Sequence, residues 1–477
     1  MPELSEILAA NRGIGYVVAP AGFGKTHLIA EAVSRTDRRQ LVLTHTYAGV
    51  NQLRRKMRDL KVSSRCFRID TIASWALRLS LSYPATSRWA IERPTGDDWC
   101  GLYRECSALL EFNFVRRILK ASYSGLYVDE YQDCSIAQHN LVLKLARDLP
   151  CRLLGDPLQG IFDFNEEQLD WGRDIFSAVV SLGQMFTPHR WIRTGSPAIG
   201  TWLADVRRNL EAGQPVNLAR DLPHGVTFKS ADAQSLFRIQ ANACRYLRCG
   251  PDETAIAIHK GSQEYKAKCH VLARNLAGAF SSIEEIEGKA LFSFVEKIED
   301  ARTNRAKLKG AVAFAKQCMT AVELNLPAAT LRGEHTGISQ STRNKKAAEA
   351  ANAYLAAPSS CNLAHFLSAV KCIDGVRITR ADLFNRTMGV LRKHALRPHL
   401  TFIQAAEEYQ AEFRHKGRPL GRRKLIGTTL LVKGLEFDHA IVLDAACLSK
   451  KELYVALTRG ARSITIISTA DVLHPVD

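Results

Sequence analysis

The run Tyr16-Val17-Val18-Ala19-Pro20-Ala21-Gly22-Phe23-Gly24-Lys25-Thr26 decides how the chain is read. The apolar residues Tyr16 to Ala19 predict a buried strand. Gly22 and Gly24 predict a tight turn, and the periodic stretch Thr26 to Ser34 predicts a helix. A glycine-rich turn between strand and helix presents backbone N–H groups and the positive helix end to an anion. In the loop Ala19, Pro20, Ala21, Gly22, Phe23, Gly24, Lys25 and Thr26, the Lys25 ammonium can reach β- and γ-phosphate oxygens, and the Thr26 hydroxyl can bind Mg2+. His27 extends this nucleotide-binding set into the first turn of the helix. Ala19 stands where such loops usually carry glycine, and its small side chain still permits the turn.

The same alternation recurs on either side. Gln40 to Thr44, Gly125 to Asp129 and Cys151 to Gly155 read as short strands, and Val50 to Leu60 reads as a helix. A second α/β section opens near Val226 to Phe228, continues through Ala255 to Ile258, and resumes at Leu425 to Thr429, Ala440 to Asp444 and Ser463 to Ser468. Strands alternating with helices predict parallel sheets covered on both faces, with ligands at the carboxyl ends of the strands. Two stretches break the pattern: an aromatic and basic segment from Ser82 to Ser122, and an Ala- and Lys-rich helical segment from about Lys289 to His415. Both read as insertions.

A nucleotide hydrolase also needs a carboxylate at a neighbouring strand end to hold the metal, and a second acid to orient the attacking water. Leu126-Tyr127-Val128-Asp129-Glu130 supplies both, with Asp129 the metal candidate and Glu130 the base. ATP and Mg2+ are therefore the expected cofactors.

Lys and Arg total 65 against 48 Asp and Glu, a surplus of 17 positive charges that favours a polyanionic partner. The 12 cysteines include no CxxC pair, which argues against a zinc or iron–sulfur site and for buried, unpaired thiols in a reduced, cytoplasmic protein. No stretch resembles a secretory leader or a membrane span, so no membrane partner is expected.

Extending the two acids gives Asp129-Glu130-Tyr131-Gln132-Asp133, which resembles the second motif of UvrD/Rep-like superfamily 1 helicases. Other motifs of that family follow in order. Thr44-His45-Thr46 and Asp70-Thr71-Ile72-Ala73-Ser74-Trp75 resemble its nucleic-acid-contact motifs, and Gly155-Asp156-Pro157-Leu158-Gln159-Gly160-Ile161-Phe162 resembles its third motif. Pro188-His189-Arg190, Val432-Lys433-Gly434-Leu435-Glu436-Phe437 and Leu453-Tyr454-Val455-Ala456-Leu457-Thr458-Arg459 resemble the later ones.

The resemblance implies an α/β protein of two RecA-like P-loop domains with parallel sheets, a short insertion in the first and a helical insertion in the second. The expected limits are 1–79 and 123–220 for the first domain, with insertion 80–122, and 221–288 and 417–477 for the second, with insertion 289–416. It further implies catalytic roles for Lys25, Asp129, Glu130, Gln159, Arg190 and Arg459, a ribose contact at Glu436, and nucleic-acid contacts at Thr44, His45, Thr71, Phe164 and Thr429. Trp75 reads instead as core. The chain departs from the family in lacking any glutamine before Gln40, where the family carries an adenine-reading motif. His189 stands for a base-stacking tyrosine, and His45 for a phenylalanine.

The implied activity is ATP-driven stepping along single-stranded or tailed DNA, with 3′-to-5′ direction, in DNA repair or antiviral defence. The rival is a nucleotide- or DNA-end-sensing subunit for a partner nuclease, as in Gabija-type antiphage systems, with little helicase activity.

Overall fold

The computed structural model describes residues 3–92, 94, 96–161, 169–283, 287–416 and 423–476. They form two compact units, Met1–Glu211 and Ala212–Asp477.

The first unit is built on strands β1 (Ile14–Val18), β2 (Gln40–Thr44), β3 (Phe67–Thr71), β4 (Gly125–Val128), β5 (Cys151–Gly155) and β6 (Val180–Gln184). They lie side by side in the order β3-β2-β4-β5-β1-β6, every pair parallel. Side chains alternate across a strand, so β2 sends Leu41 and Leu43 to one face and Val42 to the other. Val42 joins Leu28, Ile29, Val33, Leu53 and Met57 from the helices Lys25–Ser34 and Tyr47–Asp59. Leu41 and Leu43 join Trp75, Leu126, Leu153 and Trp171 on the opposite face. Trp75 is core, as expected.

The segment from Ser82 to Ser122 is helical, with helices Pro84–Ser87, Asp98–Leu109 and Asn113–Ser122. Its residues Trp89, Leu102, Tyr103, Cys106 and Leu109 share the core of the sheet face. This insertion is therefore part of the first unit's own packing. Strands β3 and β6 were not visible as hydrophobic runs. β6 is largely exposed at the sheet edge, and β3 mixes Arg68 and Asp70 with apolar residues.

The second unit holds β7 (Val216–Asn217), β8 (Val226–Ser230), β9 (Ala255–His259), β10 (Ser281–Ser282), β11 (Lys424–Thr428), β12 (Phe437–Val442), β13 (Gly460–Ser468) and β14 (Val472–Leu473). Its main sheet runs β10-β11-β9-β12-β13-β8, again all parallel. The short antiparallel pair β7 and β14 joins the start and end of the unit. The two parallel sheets with flanking helices bear out the expected pair of RecA-like domains. Between β10 and β11 lies a run of helices from Glu287–Asp300 to Phe402–Lys416. One hydrophobic cluster, drawn wholly from residues 290–406, forms its centre. It includes Phe294, Phe314, Tyr354, Phe366, Leu367 and Leu391.

All twelve cysteines are free. The expectation that they are buried holds for Cys106, Cys134, Cys151, Cys244, Cys269 and Cys318, but Cys361 and Cys372 are exposed. The latter two lie on or beside the helix Ser360–Lys371, whose buried face is filled by Leu363, Phe366, Leu367 and Val370. Among the described residues no helix is long and apolar enough to cross a membrane.

Because Phe366 is fully buried inside the helical block, Phe366→Ala is expected to destabilise the second unit by about 3–5 kcal/mol through lost burial and an unfilled cavity. Urea unfolding followed by circular dichroism measures this. A loss below about 1 kcal/mol would show that the block is not organised by this cluster.

Candidate nucleotide site and motor motifs

The loop from Ala19 to Lys25 joins β1 to the helix Lys25–Ser34. Gly24 caps that helix in the left-handed region, φ 96°, and Gly22 has φ 77°. Both conformations favour glycine. Ala19 needs no such freedom: its φ is not positive, it is fully buried, and its N–H donates to the Gly155 carbonyl at 2.9 Å. The first-turn N–H groups of Lys25, Thr26 and His27 have no acceptor inside the helix and face outward along its positive end. Such a cradle fits a phosphate group. Thr26 is half-buried beside it and His27 is exposed.

Lys25 is buried, with Nζ 2.6 Å from Glu130 Oε2 and 3.4 Å from Asp129 Oδ1. Burial works against the ammonium, but Glu130 and Asp129 outweigh it and hold its pKa above the ordinary lysine value. Burial also pushes the Asp129 carboxyl up to about 6, against the opposing pull of Lys25. Glu130 has φ 54° and ψ 41°. A non-glycine residue in that region stores about 1–3 kcal/mol of strain, which the surrounding contacts must hold in place.

Those contacts run outward from Glu130. Gln132 Nε2 donates to Glu130 Oε2 at 2.7 Å, and Gln132 Oε1 accepts the Asp156 N–H at 2.9 Å. Asp156 is fully buried. Its Oδ2 accepts from the Ala21 N–H at 3.0 Å and from Gln159 Nε2 at 2.9 Å, while Arg207 Nη1 donates to Oδ1 at 2.6 Å. A Cβ on Gly155 would lie 2.5 Å from the Trp171 ring and 2.7 Å from Gln132 Oε1, so the glycine is what lets Gln132 reach across. One polar network thus links the loop, both acids and Gln159.

The segment after β6 closes over the loop. The Met185 N–H donates to the Val18 carbonyl at 3.1 Å, and the Arg190 N–H donates to the Gly22 carbonyl at 2.9 Å. The His189 ring lies 3.3 Å from where a Gly24 Cβ would stand, and Trp191 packs edge-on to Phe23. Arg190 is accordingly buried next to the loop, although its motif is the least family-like in sequence.

The nucleic-acid candidates divide. Thr44 and Thr71 end the neighbouring strands β2 and β3 in register with each other. Both are buried. Thr71 Oγ1 accepts the Ser74 N–H and starts the helix Ile72–Ser82. The Thr44 hydroxyl has no hydrogen-bond partner among the described residues. His45 Nε2 lies 3.4 Å from Cys134 Sγ, tying this strand end to the loop after Glu130. Phe162 and Phe164 lie outside the described residues.

In the second unit, Arg459 is buried and its guanidinium donates to the carbonyls of Val455 and Leu435 and to Thr458 Oγ1, at 2.9, 3.0 and 2.8 Å. Glu436, next to Leu435, is exposed. Thr429 is fully buried, with Oγ1 donating to Glu452 Oε1 at 2.9 Å, and the same carboxylate oxygen accepts the Gly261 N–H. Glu452, on the helix Lys450–Leu457, therefore clasps both Thr429 and the loop after β9, and the Thr429 hydroxyl is turned into the protein.

The family model of the UvrD/REP helicase N-terminal domain matches residues 91–170, the stretch that contains Asp129, Glu130, Asp156 and Gln159. The chain resembles the UvrD/REP helicases. No curated relative matches it. Similar solved structures include a Pif1 helicase from Bacteroides in complex with ADP-AlF3 and single-stranded DNA, at 11% identity and a TM-score of 0.37, covering 99% of this chain and 93% of that one. A Pif1 helicase from Candida albicans is similar at 11% identity and a TM-score of 0.31, with 58% and 54% covered. An arterivirus nonstructural protein 10 helicase with DNA is similar at 13% identity and a TM-score of 0.28, with 54% and 49% covered. The matched part spans about half the length of each of the latter two.

Three residues of the site were not singled out from sequence as site residues. Gln132 and Asp156 stood inside recognised motifs. Arg207 lies in the helix Pro197–Glu211, far from any motif, and only folding shows its partner.

Arg207→Met would strand the buried Asp156 carboxylate without its cation. It is expected to cost about 3–5 kcal/mol of stability, and Asp156→Asn in the same chain should recover part of that loss. Denaturant midpoints of the single and double variants test this, and equal losses in both would break the link.

Proposed function

We propose that the chain is a nucleic-acid-stimulated ATPase that steps along single-stranded DNA. The observation that carries this reading is the buried Lys25 held between Glu130 and Asp129 under a glycine-rich loop, with Asp156 joining that loop to Gln159. Lys25, Thr26 and the loop amides would hold the triphosphate, and Thr26 and Asp129 the Mg2+. The bound metal would neutralise phosphate charge during hydrolysis. The Lys25 ammonium pairs with Glu130. A phosphate anion competes for that ammonium and leaves Glu130 available to orient water. The strained backbone and the Gln132 bond keep its carboxylate aimed at the same spot. Gln159 and Arg190 are proposed as γ-phosphate contacts, because one is bonded into this network and the other packs against the loop. Arg459 and Glu436 are assigned to nucleotide chemistry by motif order.

DNA as the track is supported by the surplus of 17 positive charges and by His45 at the carboxyl edge of the first sheet, beside the buried ends of β2 and β3. Phe164 is proposed as a base-stacking residue on its motif position alone. We assign 3′-to-5′ direction on the same resemblance. The first insertion is packed into the sheet core and does not stand apart as a separate arm. That favours stepping over strong strand separation and leaves room for a partner, such as a nuclease, to complete the work.

Single-stranded DNA is expected to raise ATP turnover in the wild type. Lys25→Ala and Glu130→Gln should abolish turnover while leaving the chain folded by circular dichroism, and full hydrolysis by either variant would remove the site assignment. Arg459→Ala should slow turnover by roughly 10³- to 10⁵-fold if its guanidinium serves the reaction. A melting curve recorded alongside separates that effect from loss of fold.

On a tailed duplex of a few tens of base pairs, little strand displacement is expected from the isolated protein despite strong DNA-stimulated hydrolysis. Unwinding must overcome about 1.4 kcal/mol of stacking per step. Rapid, processive displacement without any added factor would contradict this.

A further inference from the structure

The second unit brings together three side chains that no motif links. Cys249 and Glu253 flank the turn that leads into β9, and His439 lies in β12. Strand register sets His439 beside Ala255 on one side and Ser463 on the other, so its imidazole meets the turn just before β9. One donor atom from each of Cys249, Glu253 and His439 falls within 4.8 Å of the other two.

We propose that Cys249, Glu253 and His439 form a zinc site that fastens this turn to β12. The donor set is one thiolate, one carboxylate and one imidazole, a combination suited to tetrahedral Zn2+ with water as the fourth ligand. Tetrahedral bonds of 2.0–2.3 Å place ligand atoms roughly 3.3–3.6 Å apart. From separations of up to 4.8 Å the widest pair would close by about 1.2–1.5 Å, while His439 Nε2 and Glu253 Oε2, 2.9 Å apart, would open by about 0.5 Å.

The surroundings are those of a ligating histidine. His439 Nδ1 is 2.8 Å from Ser463 Oγ and Nε2 is 2.9 Å from Glu253 Oε2. A hydroxyl can donate or accept. The imidazole can therefore place its proton on Nδ1, donate it to Ser463, and turn the Nε2 lone pair to the metal, while Ser463 fixes the ring. Glu253 is pre-positioned in turn by the Gly250 N–H, which donates to Oε2 at 2.6 Å. Cys249 Sγ points at the same turn, 3.3 Å from the Glu253 carbonyl. On binding, the Cys249 thiol gives its proton to solvent, and the metal–sulfur bond replaces the S–H bond. Beside the cluster, Arg462 Nε pairs with Asp438 Oδ1 at 3.0 Å and lies 3.9 Å from Glu253 Oε1, so it holds the Glu253 oxygen that does not face His439.

The spacing of cysteines along the chain argued against zinc, since no two lie in a CxxC arrangement. That argument covers sites built from paired cysteines. It misses one whose third ligand arrives from a strand 186 residues after Glu253.

The test uses the full-length protein freed of metal with a chelator and then titrated with Zn2+ or Co2+ alone. Stoichiometric zinc retained after dialysis is expected, together with a thiolate-to-cobalt charge-transfer band for the Co2+ form. Cys249→Ser should lose the band, whereas Cys447→Ser, at a half-buried cysteine outside the cluster, should keep it. Ser463→Ala should weaken zinc binding by about 10- to 100-fold, the effect usual for a residue that orients a metal-bound histidine. Absence of both retained zinc and the band would overturn the proposal and leave His439 and Glu253 as a hydrogen-bonded pair. A band that persists in Cys249→Ser would also overturn it. If Cys249→Ser fails to fold, the decision passes to His439→Gln. Loss of retained zinc in that variant, with normal circular dichroism, supports the site; unchanged retention refutes it.

Discussion

A carboxylate buried as completely as Asp156 must be met on every side, and the first unit is arranged to meet it. The carboxylate's partners come from three places in the chain, the loop at Ala21, its own turn at Leu158 and Gln159, and the helix Pro197–Glu211 at Arg207, while the Asp156 backbone N–H donates to Gln132 in the acidic turn. Leaving a buried ion without partners costs several kcal/mol, so none of these pieces can drift without penalty. The loop that precedes Lys25 and the turn that carries Glu130 are therefore held to the same anchor. Trp171, packed against Gly155, closes the apolar side of that anchor.

Burial of Lys25 follows the same logic. A buried ammonium is unfavourable alone, and the two acids next to it reverse the balance. The arrangement is tense in a useful way. Glu130 sits in left-handed backbone, Asp129 is desolvated enough to move its carboxyl up to about 6, and the Lys25 ammonium between them pairs with both acids.

The second unit uses a different device. Arg459 is held inside the unit by carbonyls of Val455 and Leu435, and Glu452 clasps both Thr429 and the Gly261 amide. The Arg459 contacts stand at the amino ends of β12 and β13, and the Glu452 contacts at the carboxyl ends of β9 and β11, so the two brace opposite ends of the parallel sheet. The helical block between β10 and β11 adds a core of its own, so it can be inserted without disturbing the sheet. At the amino ends of the strands, Cys249, Glu253 and His439 gather near the start of β9.

Local chemistry made much of this legible in advance. The strand, glycine turn and lysine around residues 16–26, the acids at 129 and 130, and the strands β2, β5, β9 and β13 could be read directly, because buried parallel strands are continuous apolar runs and phosphate loops need glycine at set places. The alternation also sufficed for two parallel sheets with a helical insertion. It did not suffice for β3, β6 or β10, whose residues are mixed, exposed or too few to leave a pattern. Nor could it show that Arg207 neutralises Asp156, that Trp191 and His189 lie on the loop glycines, that Thr429 turns inward to Glu452, or that His439 meets Cys249 and Glu253. What the sequence determined by itself were features set by neighbours along the chain: periodicity, turn chemistry and motif order. Only the tertiary structure decided which buried charges face one another, because that depends on strand order and register between residues that the chain keeps far apart.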